Sequence, residues 1–227
     1  LIIMMSVLMF ASLGIDNGRG VTPPLGWRSW NLYGPNVNQQ LMEKIMDGMV
    51  NRNRTVDGVP TSLCDLGYCD VGLDDNWQEC GSHGKGKYTY HSDAGFPIVN
   101  AGRFPDMLAM TNKAHGLGLT AGWYMNVSHG PTNLVLLPDL LSSSSFASLL
   151  PLLLAELYLR DHCGSKHWDP SAPESETKCY EGDAAAIIEF GFDAVKLDGC
   201  GAQLDLDLWA SLLNASGKPI MIENCHW

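Results

Sequence analysis

The chain has 227 residues, 45% of them hydrophobic, which is enough to bury one sizeable core in a single globular unit. A formal net charge of −11 and a pI near 4.9 exclude a surface of clustered Lys and Arg, so nucleic acid is not an expected partner. Seven cysteines without a Cys-x-x-Cys pair favour disulfides in an oxidising compartment over a zinc site.

In chain order, residues 1–20 come first as a leader. Leu1 to Ala11 form an apolar run too short to span a bilayer, and small residues follow at Ser12 and Gly14. This is the pattern of a signal-peptide core, and it predicts a secreted or a lysosomal or vacuolar protein with no membrane anchor. No initiator Met or basic stretch precedes the run, so the sequence is expected to begin inside its gene product. Three Asn-x-Ser/Thr sequons, at Asn53, Asn126 and Asn214, are compatible with secretion.

Residues 21–227 alternate between strand-like and helix-like patterns. Runs of β-branched, aromatic or small apolar residues fall at 26–30, 68–74, 119–125, 194–198 and 219–223. Between the first two, Leu41, Met42, Ile45, Met46, Met49 and Val50 recur at helical spacing behind Asn38, a good N-cap. Further helical patterns occupy 105–115, 183–190 and 207–214, the last with Leu208, Trp209, Leu212 and Leu213 on one stripe. Such alternation predicts α/β architecture with parallel strands joined by helical crossovers. By itself it does not separate a (β/α)₈ barrel from a doubly wound sheet, although no Gly-x-Gly-x-x-Gly follows the first strand.

The stretch 127–159 breaks the pattern. It is rich in Leu and Ser and is interrupted by Pro131, Pro138 and Pro151, which makes it a poor membrane helix. It is expected to be an insertion, either a retained intron, since Val127-Ser128 can be encoded as a splice donor, or a genuine loop.

Chemistry concentrates at strand ends. Asp198 closes the run from Ala194 and shares a strand face with Lys196, while Val195 and Leu197 take the other face. A cation beside that carboxylate favours the ionised form that a nucleophile requires. The vicinal carboxylates of Asp74 and Asp75 offer several acceptor lone pairs to ligand hydroxyls, and Trp27 offers a flat apolar face to a ligand ring.

Four segments occur in one order: Thr22 to Asn31, Leu73-Asp74-Asp75-Asn76-Trp77, Gly116 to Tyr124, and Lys196 to Cys200. Together they resemble the melibiase family, the retaining α-galactosidases and α-N-acetylgalactosaminidases of glycoside hydrolase family 27. The likeness covers residues 22–126 and 179–227. It implies a (β/α)₈ TIM barrel of which only the N-terminal part, about five strands, is present.

The resemblance also implies a site. Asp198 would be the nucleophile, with Trp27, Asp74, Asp75, Tyr124 and Lys196 binding galactose, and Trp30 and Trp77 packing. Cys200 would anchor its loop through Cys163 or Cys179, and the partner of Cys225 would lie beyond Trp227. The pairing of Cys64, Cys69 and Cys80 is left open. Many relatives read Cys-Glu-Trp where this chain reads Cys225-His226-Trp227, so His226 would take over the hydroxyl contact. The acid/base Asp of the family has no counterpart, and Glu223, the nearby carboxylate, is not assigned to that role.

The expected activity is release of terminal α-D-galactosyl residues from α-galactoside substrates, without metal or organic cofactor, and with the fragment itself inactive. A relative acting on α-N-acetylgalactosamine or β-L-arabinopyranose, or a sugar-binding pseudoenzyme, is the alternative. Oligomeric state is left open.

Overall fold

The computed structural model describes residues 17–79, 90–126, 174–198 and 205–225. The leader run, the 127–159 tract, Cys80, Cys163, Cys200 and His226 lie outside them.

Five parallel strands form the main sheet: β1 (Gly26–Arg28), β4 (Asp70–Gly72), β5 (Thr120–Asn126), β6 (Ala194–Asp198) and β7 (Met221–Cys225), paired in that order. Each new strand adds beside the last one, and the order never reverses. A doubly wound sheet has such a reversal at its switch point, so the monotonic order is that of a barrel wall. Arg28 on β1 and Glu223 on β7 form an ion pair although they sit on the two outermost strands. Four strand spacings laid flat would separate these strands by roughly 19 Å, beyond any pair of side chains, so the wall is curled.

Helices cover its outer face. α1 (Trp30–Tyr33) is a single turn starting at Trp30, so the first strand ends two residues earlier than its pattern predicts. α2 (Gln39–Val50) begins where Asn38 Oδ1 accepts the Leu41 N–H at 2.8 Å, and it buries Met42, Met46 and Met49 at helical spacing. Each such side chain contributes on the order of 1.5–3 kcal/mol on burial. Asp106 caps α3 (Met107–Gly116) in the same way, and Asp205 caps α5 (Leu206–Ala215), which buries Trp209 and Leu213 of the predicted stripe. Between them, α4 (Glu174–Glu189) starts nine residues before its apolar pattern, in a run of charged and hydroxyl residues with no apolar period to mark it.

Between α2 and β4 a small hairpin, β2 (Arg54–Val56) and β3 (Val59–Thr61), turns at Asp57-Gly58. Both turn residues have positive φ, 50° and 81°, as a two-residue primed turn demands. Cys64 and Cys69 are joined as a disulfide just before β4.

Side chains alternate between two environments along the wall. Val71, Leu73, Trp123, Val195 and Leu197 are fully buried in the helix-facing core, where Trp123 stacks on Phe192 at 4.7 Å and meets Trp77 at 4.4 Å. At the N-terminal rim, Asp193 gathers neighbours: His115 Nε2 at 2.8 Å, the Ala121 N–H at 2.9 Å and Lys218 Nζ at 3.6 Å. Its carbonyl accepts the Met221 N–H.

Candidate active site

The opposite, C-terminal rim carries the polar cluster. β4 runs on through Leu73 into Asp74 and Asp75, both buried, at 3% and 6% exposure. The Asp74 N–H donates to Ser29 Oγ at 2.9 Å, and Asp74 Oδ1 accepts the Asp75 N–H at 3.0 Å. Asp75 Oδ1 in turn accepts the Asn76 N–H at 2.7 Å, with Asn76 held at φ 75°. Asn76 thus turns the chain sharply off the strand and fixes the two carboxylates at its mouth.

Lys196 reaches Asp74 from β6. Its ammonium donates to Asp74 Oδ2 at 2.9 Å, stands 4.0 Å from Asp198 Oδ2, and lies 5.1 Å from the Tyr124 ring centroid. The sequence pairs Lys196 with Asp198 because two residues on one strand face the same way. Curling of the wall brings Asp74 still closer, and the shorter charged hydrogen bond goes there. Tyr124 Oη donates to Asp198 Oδ2 at 3.2 Å, and the Tyr124 carbonyl accepts the indole N–H of the fully buried Trp77 at 2.8 Å. Cys225 stands beside Asp198 in register; burial first, and then the Asp198 carboxylate, push its thiol pKa up.

Four of the expected residues, Asp74, Tyr124, Lys196 and Asp198, are therefore brought within hydrogen-bonding or ion-pair reach of one another, with Asp75 adjoining. Trp27 is half-buried and meets Tyr33 edge-on at 5.9 Å. Alternation places it on the opposite face from Arg28, whose side chain crosses the barrel interior. Cys179 is buried on α4, while both Cys163 and Cys200 fall outside the described residues.

The sequence patterns assign no role to Arg28. Arg28 lies across the interior against Gly72 and Gly122, where added Cβ atoms would strike its guanidinium, at 2.7 Å in the case of Gly122. Burial lowers its pKa from the usual value, against the pull of Asp74 and then Asp70. It ends on Glu223. Two glycines in register on adjacent strands, Gly72 opposite Gly122, were the available sign that something large crosses there.

No family model matches the chain. Among curated proteins, an α-galactosidase of Cyamopsis tetragonoloba is 26% identical over 219 residues, covering 93% of this chain and 40% of its own length. An α-galactosidase of Oryza sativa subsp. japonica is 32% identical over 218 residues, covering 93% and 39%. Over most of its length this chain is similar to α-galactosidases. In solved structures, α-galactosidase I from Mortierella vinacea superposes with a TM-score of 0.60 at 23% identity, over 94% of this chain and 42% of that one. The fold of this chain is that of the N-terminal part of a (β/α)₈ barrel, its cluster at the rim where such barrels hold their chemistry. The chain spans about two fifths of the length of these curated relatives.

Proposed function

We propose that the protein carrying this chain hydrolyses terminal α-D-galactosyl residues with retention of configuration, and that Asp198 is its nucleophile. The observation that carries this reading is the setting of Asp198: a carboxylate ending a barrel strand, hydrogen-bonded by Tyr124 and 4.0 Å from the Lys196 ammonium. Both contacts favour an ionised, oriented oxygen. Asp198 attacks the anomeric carbon as the bond to the leaving oxygen breaks, a second carboxylic acid protonates that oxygen, and water then cleaves the glycosyl ester. The acid is assigned to no described residue, and Glu223 is engaged by Arg28.

Asp74 and Asp75 are the proposed readers of the galactose hydroxyls, since both are buried and Asp74 is already fixed by Lys196. The sugar-contacting roles of Trp27 and His226 rest on the family resemblance. The Cys64–Cys69 disulfide supports a secretory route.

The test is turnover of an aryl α-galactoside by the protein carrying this chain and by its Asp198→Asn variant. Loss of turnover by several orders of magnitude, with the unfolding midpoint unchanged, is the expected result. Near-normal turnover by the variant refutes the assignment. Galactose binding with no turnover in the unmodified protein supports the sugar-binding alternative.

A further inference from the structure

Four charged side chains inside the barrel are paired the long way round. Lys196 and Glu223 are direct partners in the β6–β7 register and share the interior face. Opposite charges so placed ordinarily pair with each other. Arg28 and Asp74 are near neighbours in the same sense, since Arg28 stands opposite Gly72 on the adjoining strand and Asp74 follows two residues later on the same face. The local solution would therefore be Arg28 with Asp74 and Lys196 with Glu223. The structure has the crossed solution. Lys196 reaches over the Tyr124 ring to Asp74, while Arg28 spans the floor to Glu223 on the far strand.

What permits the crossing is the absence of side chains beneath Arg28. Alanine at 72 or at 122 would drive a methyl group into the guanidinium. The two glycines therefore keep a path open from β1 to β7. The consequence lies one layer higher. Only in the crossed arrangement does the ammonium of Lys196 stand between Asp74 and Asp198, at 2.9 and 4.0 Å. In the local arrangement it would turn to Glu223, and Asp198 would lose its nearby cation.

We propose that the Arg28–Glu223 ion pair is a positioning device, which by occupying Glu223 holds the Lys196 ammonium on Asp74 and beside Asp198. Its value for catalysis rests on the glycosidase reading above; its effect on Lys196 does not. The groups facing Lys196 are Asp74 beyond β4, Tyr124 on β5, Asp198 on β6, and Glu223 and Cys225 on β7, with Arg28 beneath.

The experiment follows Lys196 directly. The protein carrying this chain is reductively methylated with ¹³C-formaldehyde, and the Lys196 resonance is assigned by its loss in Lys196→Arg. Arg28→Met frees Glu223 to draw Lys196 away and is expected to shift that resonance. Adding Glu223→Gln removes the competitor and is expected to return it. Glu223→Gln alone, nearly isosteric and so safe for folding, is expected to turn Arg28 toward Asp74 and again move the Lys196 signal.

In parallel, turnover of an aryl α-galactoside should fall on the order of tenfold to a hundredfold in Arg28→Met, mainly in kcat. It should recover to within about twofold of the unmodified protein in the double variant. An unmoved Lys196 resonance in Glu223→Gln overturns the proposal, as does a double variant no better than Arg28→Met. If the unmodified protein shows no turnover, the glycosidase reading fails while the resonance still decides the role of the pair.

Discussion

Replacing Lys196 by Met should destabilise the fold through the partner it leaves behind. The Asp74 side chain is 3% exposed, and its Oδ2 loses a charged hydrogen bond of 2.9 Å. At that separation the gross attraction is roughly 6 kcal/mol with an effective dielectric constant near 20. Desolvation offsets part of this, and stranding one member of a buried pair costs about 3–5 kcal/mol. Lys196 retains 19% exposure, and Asp74 keeps both the Asp75 N–H and the field of Arg28, so the lower end applies. A loss of about 3 kcal/mol lowers the melting temperature by roughly 6–12 °C in a chain of this size. Asp74→Asn combined with Lys196→Met removes both charges and should be more stable than Lys196→Met alone, with a coupling of about 2 kcal/mol. Urea unfolding of the four proteins in the cycle measures this. A single variant within about 0.5 kcal/mol of the parent, or a double variant that merely adds the two losses, refutes the reasoning.

Asn38→Ala removes the cap of α2 and should cost about 1 kcal/mol in urea unfolding, whereas Asn38→Asp should cost much less. Met46→Ala opens a cavity beneath the same helix and should cost about 2–5 kcal/mol; a loss under 1 kcal/mol would mean that the α2 interface is not tightly packed. Tyr90 is buried, and its hydroxyl meets no hydrogen-bond partner among the described residues. Burial first, and then Asp183 and Asp75, hold its pKa well above the usual value. The buried phenol therefore stays neutral where the unfolded one ionises, so its contribution to stability is complete below about pH 10 and is lost as pH rises further. Tyr90→Phe should match or exceed the parent near pH 7 and fall less steeply in thermal melts above pH 10. Parallel decline of the two proteins would contradict this.

What could be read from the sequence was what depends on near neighbours. Asn38 with Met42, Met46 and Met49 behind it specifies a helix, its start and its buried face within a dozen residues. Asp57-Gly58 is equally local, but the strands that flank it are too short and too exposed to carry an apolar alternation that would mark the hairpin. The start of α4 was not legible, since Glu174 to Lys178 carry no apolar period. In the site, the ordered motifs picked out Asp74, Lys196 and Asp198, yet strand alternation supplied the wrong first partner for Lys196. Which carboxylate it meets depends on the curvature of the wall, a property of five strands together. The same curvature joins Arg28 to Glu223 across most of the chain, and only the glycines at 72 and 122 hint at it.

Asp193 has a consequence for how such a protein can change. It ties α3, β5, the approach to β7 and Lys218 together at the rim remote from the carboxylate cluster. Cohesion between neighbouring strand–helix units is thus secured at one end of the wall, and the residues proposed to contact the sugar stand at the other. Substitutions among the residues proposed to read the sugar can then accumulate without loosening those ties. For an engineer, the same partition marks Asp193 and its partners as positions to leave alone when the opposite mouth is redesigned.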